Sequence, residues 1–172
     1  MQIRYVAGDL LAGNETLIAH SCNMRGAYAS GIAGQIRQCM PFAYDAYRLA
    51  FEDVNHPFQL GQVIWAFDIG GDRPSRIVAN MLGQENYGRR RDYQYVSYAA
   101  LAAALQTINE FVGRTQDGTI QLDGIGPIAE VGLPAIGTGL GNGRWPVIAD
   151  IIERKSTCFQ PVVYLFDGRM PG

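Results

Sequence analysis

Short apolar segments bounded by turn residues alternate with helix-patterned segments along this chain, and that alternation constrains the fold more than any other feature. The strand-like segments are Gln2–Ala7, Leu17–Ser21, Gly61–Phe67, Arg76–Leu82, Ile128–Ile136 and Pro161–Phe166. Two short helical patterns, Gly31–Cys39 and Phe42–Phe51, are broken at Pro41. The longest, Tyr93–Val112, sets Tyr98, Leu101, Leu105, Ile108 and Val112 on one stripe at spacings of three and four. The last, Trp145–Arg154, carries Val147, Ile148, Ile151 and Ile152. The pattern predicts an α/β sheet covered on both faces, with ligands held by the loops at the carboxyl ends of the strands. No linker, repeat or low-complexity tract interrupts it, so the 172 residues are expected to form one domain, 1–172.

Two of those loops are unusual. Residues 20–34 read His20-Ser21-Cys22-Asn23-Met24-Arg25-Gly26-Ala27-Tyr28-Ala29-Ser30-Gly31-Ile32-Ala33-Gly34, with small residues crowding the second half where a helix begins. Small residues let the backbone approach a ligand closely, and the free N–H groups of a helix start favour an anion. An ordinary turn with Ser30 as helix cap explains the same residues. Residues 137–146 read Gly137-Thr138-Gly139-Leu140-Gly141-Asn142-Gly143-Arg144-Trp145-Pro146, with glycine at every second place over four places. A plain turn rarely requires four glycines, whereas a phosphate cradle of backbone N–H groups does. A flexible loop remains the alternative. The spacing is neither G-x-G-x-x-G nor a P-loop, because no Gly-Lys-Ser/Thr follows. Two such loops suggest a diphosphate held between them.

Composition excludes several classes. The formal net charge is −2, and Arg89-Arg90-Arg91, the one basic run, reads as a solvated loop. Non-specific nucleic-acid binding is therefore not expected. Cys22, Cys39 and Cys158 are odd in number and lack C-x-x-C spacing, so neither a disulfide framework nor a zinc site is expected, and no metal or cofactor is implied. No charged leader precedes a long apolar core and no apolar run spans a bilayer, so a cytoplasmic protein with no membrane partner is expected. Protein partners are not legible. Thirteen arginines stand against one lysine, Lys155.

Three segments together carry a resemblance. Tyr5-Val6-Ala7-Gly8-Asp9-Leu10-Leu11 resembles the G-D-[IL] opening of macro domains. Ile18-Ala19-His20-Ser21-Cys22-Asn23, followed by Ser30-Gly31-Ile32-Ala33-Gly34-Gln35-Ile36, resembles their first ligand loop, usually V-N-A-A-N and then G-G-G-V-A. Leu133-Pro134-Ala135-Ile136-Gly137-Thr138-Gly139-Leu140 resembles their second, phosphate-binding loop. Order and spacing agree over nearly the whole chain. The resemblance implies a three-layer α/β/α macro domain with a mixed central sheet. The H-S-C-N form is similar to the small ADP-ribose-1″-phosphate phosphatases, which have a histidine at the place of His20. The terminal ADP-ribose glycohydrolases and the antitoxins that remove ADP-ribose from DNA look alike in the first loop but use a lysine. Their lysine's place reads Asn80-Met81-Leu82-Gly83-Gln84 here, and the aspartate that the protein-directed glycohydrolases add in the second loop reads Gly141-Asn142.

The family resemblance also implies residue roles. Asp9, with Leu10 beside it, would meet the adenine amino group, and Phe166 would stack on the base. Asn23 would face the distal ribose and is assigned to the catalytic pair beside His20, and Ser21 would be a ligand contact. Ser30, Gly31, Ile32 and Ala33 would face the diphosphate from one side, and Gly137, Thr138, Gly139, Leu140, Gly141 and Asn142 from the other. An unperturbed imidazole titrates near neutral pH, so His20 would serve as acid or base. A satisfied structural histidine is the competing reading, as an Asx-turn is for Asn23. The implied function is binding of ADP-ribose or a derivative. Two forms stay open: hydrolysis of ADP-ribose-1″-phosphate or of an ADP-ribosyl ester, and binding without turnover.

Overall fold

A computed structural model describes residues 1–69 and 74–171. Six strands form one sheet: β1 (Arg4–Ala7), β2 (Leu17–Asn23), β3 (Val63–Asp68), β4 (Arg76–Gln84), β5 (Glu130–Pro134) and β6 (Gln160–Leu165). Their order is β1-β6-β5-β2-β4-β3. Every pairing is parallel except β3 with β4, so the sheet is mixed, with its antiparallel strand at one edge. The near-continuous apolar runs of β2 and β4 follow from burial on both faces.

Two clusters make the outer layers. On one face α3 (Tyr98–Gln116) and α4 (Trp145–Lys155) cover alternate residues of β2, Leu17 and Ala19, with Ile77, Ala79 and Met81 of β4. The stripe Leu101, Leu105, Ile108 and Val112 is fully buried there. On the other face α1 (Gly31–Cys39) and α2 (Pro41–Glu52) cover Ile18 and Cys22 of β2 with Val78 and Leu82 of β4. The arrangement is the three-layer α/β/α architecture expected.

The third helix begins at Tyr98, five residues later than the apolar pattern indicates. Ser97 caps it, its hydroxyl accepting from Ala100 N, while the amides of Tyr95 and Val96 donate to Gly141 O at 2.9 and 3.0 Å. Residues 93–96 are thus drawn out of the helix by a long-range contact. Among the described residues no helix is long and apolar enough to cross a membrane.

Candidate functional site

The central strand β2 ends in a register shift between Cys22 and Asn23, which turns the chain away from β4 at the point where the first loop starts. Asn23 then organises that loop. Its Oδ1 accepts from Arg25 N at 2.9 Å and Ala27 N at 3.3 Å, and its Nδ2 donates to Ala27 O at 2.6 Å. The Tyr47 hydroxyl of α2 donates to Asn23 O at 2.6 Å, clamping the strand end from below. Asn23 therefore forms the local turn that its residue type favours, and it also lines a cavity.

That cavity measures about 520 Å³ and lies between the first loop, the start of α1 and the glycine loop after β5. A second chamber of about 490 Å³ runs on toward the ends of β1 and β6. Gly31, Ile32, Pro134, Ala135 and Thr138 border both, so the two chambers form one cleft with a shared wall. Ser30, at the cap position of α1, makes no side-chain cap bond. The amides of Gly31, Ile32 and Ala33 lie in the first turn of α1, where no intrahelical partner exists. Across the cleft, the amides of Gly139, Leu140 and Gly141 donate to no described group. Two rows of uncommitted N–H groups therefore belong to the residues of opposing walls.

The glycine loop is held from outside. Gly143 N donates to Gly137 O at 2.8 Å, and Thr138 Oγ1 donates to Ala135 O at 2.8 Å. Asn142, with a φ of 56°, donates through Nδ2 to Arg91 O at 2.6 Å and to Tyr93 O at 3.1 Å. Asn142 points its amide at the 91–93 segment and does not border the cleft, unlike Gly137 to Gly141.

In the second chamber Asp9 caps a single 3-10 turn, residues 10–12, its Oδ1 accepting from Leu11 N at 2.9 Å. Oδ2 is left without a hydrogen bond among the described residues. Leu10 is buried below, and Phe166 borders the chamber while 78% exposed.

His20 lies elsewhere. Its neighbours in β2 alternate between the two faces, and its ring enters the layer under α1 and α2 with 1% exposure. Nε2 lies 2.7 Å from Asn80 Oδ1 and 2.9 Å from the Tyr28 hydroxyl, which itself donates to Asn80 Oδ1 at 2.6 Å. Asn80 Nδ2 donates on to Ala43 O and Ile64 O, tying β2, β3, β4 and α2 together. Burial pulls the imidazole down to about 4, against a smaller upward pull from the Asn80 bond. The neutral ring borders neither chamber. Burial likewise pushes the Cys22 thiol up, so it is no thiolate at neutral pH.

Among the residues that border the first chamber, Gln84, the last residue of β4, and Tyr87, 59% exposed at the rim, were given no ligand role by the sequence reading. Gln84 had one available signal, its place at the carboxyl end of a central strand. Among the described residues no three His, Cys, Asp or Glu side chains converge as a metal site.

No family model matches the chain. It is 28% identical over 167 residues to an uncharacterized 17.5 kDa protein of the tk-vs intergenic region of enterobacteria phage T4, covering 95% of this chain and 96% of that one. It is 24% identical over 160 residues to a DNA ADP-ribosyl glycohydrolase of Thermus aquaticus; the match takes in 93% of this chain but only 39% of that protein. Among solved structures, a Bacteroides thetaiotaomicron protein of unknown function superposes with a TM-score of 0.77 at 26% identity, over 95% of this chain and 98% of that one. A macrodomain protein from Streptomyces coelicolor gives 0.67 at 26%, over 95% and 99%. Thermosipho africanus DarTG in complex with ADP-ribose gives 0.72 at 16%, over 98% of this chain and 43% of that one. Sheet, layers and cleft define an α/β/α protein whose cleft lies at the carboxyl ends of parallel strands. Within that class the chain has the macro-domain fold.

Proposed function

We propose that the cleft binds ADP-ribose, or a molecule built on it, with adenosine in the second chamber, the diphosphate between the two amide rows and the distal ribose in the first chamber. The observation that carries this reading is the shared wall. Two chambers of similar size share Gly31, Ile32, Pro134, Ala135 and Thr138, and the uncommitted amides of Gly31 and Ile32 border both, with those of Gly139–Gly141 in the adjoining first chamber, so a diphosphate seated from the junction into that chamber would find donors from both loops. The T. africanus protein, a fold relative, is a complex with ADP-ribose, which supports the same ligand class.

Binding is favoured over turnover by the chemistry at the distal end. The residues that border the first chamber include no carboxylate, lysine, arginine or histidine. His20 is neutral, buried and committed to Asn80 and Tyr28, so it has no proton to deliver to the cleft at neutral pH. On this reading His20 and Asn23 position the first loop and are not acid and base. Hydrolysis of an ADP-ribosyl bond remains the second reading, favoured by the T. aquaticus relative, a DNA ADP-ribosyl glycohydrolase.

Calorimetry with ADP-ribose tests the first reading; micromolar affinity, about −8 kcal/mol, is expected. Absence of both heat and a thermal shift at millimolar ADP-ribose would end it. Release of phosphate from ADP-ribose-1″-phosphate, or of ADP-ribose from an ester conjugate, at a rate lost in His20→Ala but not in parent, would replace it with the hydrolase reading.

A further inference from the structure

The first chamber holds a side chain with unspent hydrogen-bonding capacity. Gln84 ends β4, is half-buried, and lies against the glycine loop: a Cβ on Gly141 would come within 2.8 Å of Gln84 Nε2. No hydrogen bond holds its carboxamide among the described residues, although the side chain borders the cavity. Its backbone carbonyl is used, accepting from Met24 N at 2.9 Å, so the residue is anchored while its amide is free. A half-buried carboxamide that borders the cavity without a protein partner keeps its donor and acceptor for a ligand or water.

The surroundings restrict what that ligand can be. Every residue that borders this chamber is uncharged in its side chain, and the Cys22 thiol is held protonated. Arg25, a nearby cation of the first loop, donates to Asn86 Oδ1 at 2.7 Å and pairs with Glu85 at 3.9 Å, and it does not border the chamber. The free backbone amides belong to Gly31 and Ile32 at the junction and to Ala33 and Gly139–Gly141 in the first chamber, and the diphosphate would take them. A second phosphate at the far end would lose water with no cation to replace it. Tyr87 offers an exposed aromatic ring at the rim of the same chamber, a surface suited to a flat group.

We infer that Gln84 is a specificity-determining residue whose carboxamide, with Tyr87, recognises a planar, uncharged group bearing a carbonyl and an N–H on the anomeric carbon of the distal ribose, in preference to a phosphate or carboxylate there. The inference rests on the proposed seating of the distal ribose in this chamber. An amide meets an amide reciprocally, donor to acceptor in both directions, which a phosphate dianion does not reproduce.

The test is calorimetry on the full chain with three probes: ADP-ribose, ADP-ribose-1″-phosphate, and NADH, whose distal ribose carries an uncharged carboxamide ring. NADH is expected to bind at least tenfold more tightly than ADP-ribose-1″-phosphate. Gln84→Leu, checked for folding by its melting curve, is expected to weaken NADH about tenfold and leave ADP-ribose within about twofold. Tyr87→Ala, an exposed change that leaves the fold intact, is expected to weaken NADH alone. Preference for ADP-ribose-1″-phosphate, or NADH affinity unmoved in both variants, overturns the inference while ADP-ribose binding stands. Failure of ADP-ribose itself to bind removes the proposed function and this inference together.

Discussion

Single residues in this chain do two jobs, and the substitutions that separate them are informative. Asp9 caps the 10–12 turn with one carboxylate oxygen and leaves the other free in the second chamber. Asp9→Ala is expected to weaken ADP-ribose by about 1–3 kcal/mol through loss of a charge-assisted bond. Loss of the cap adds about 1 kcal/mol of destabilisation, read separately from the melting curve. His20 makes a prediction in pH. Its folded value of about 4 lies below the ordinary 6.5, so between those values the unfolded chain binds a proton that the folded chain refuses. Stability should therefore be complete above pH 6.5 and fall as pH drops toward 4, by about 3 kcal/mol from this group. Melting temperatures measured across that window should fall less steeply in His20→Gln than in the parent. Equal slopes would place the imidazole in water instead. Sequence alone could not separate the two readings of His20, because the separating contacts come from Asn80, sixty positions away.

At the scale of elements, the glycine loop distinguishes two kinds of glycine. A Cβ on Gly139 meets nothing within 4 Å, whereas one on Gly141 would lie 2.6 Å from Gly137 O. Gly139→Val is expected to fold like the parent and to lose at least tenfold in ADP-ribose affinity, its side chain occupying the space between the amide rows. Gly141→Val is expected to lower stability by about 1–3 kcal/mol, because backbone must move to admit it. Parental affinity in Gly139→Val would show that the loop is no cradle. Both loops were legible because small residues cluster where strand patterns hand over to helix patterns. The start of α3 was not. Tyr93, Tyr95 and Val96 adjoin the apolar pattern of the helix, and their meeting with Gly141 and Asn142, across more than forty positions, holds them outside it. The same folding-together conceals Gln84 and Tyr87, whose neighbours across the cleft are supplied by distant segments.

For the whole molecule, the expectation of one domain predicts a single cooperative melting transition, since both buried clusters flank one sheet through β2 and β4. ADP-ribose at a hundred times its dissociation constant should raise stability by about 2.7 kcal/mol, moving that transition upward by roughly 5–10 °C without splitting it. Two transitions, or a shift in one of two, would divide the chain. The shared wall of the chambers has a further consequence. A molecule that enters both halves carries its own second half at a high effective concentration, so a link through the junction multiplies affinity without adding contacts. AMP and ribose 5-phosphate, offered together as separate molecules, should then compete poorly against the joined ADP-ribose, by about a hundredfold or more, and the segment Gly31–Ile32 facing Pro134–Ala135 is the fulcrum on which that advantage turns.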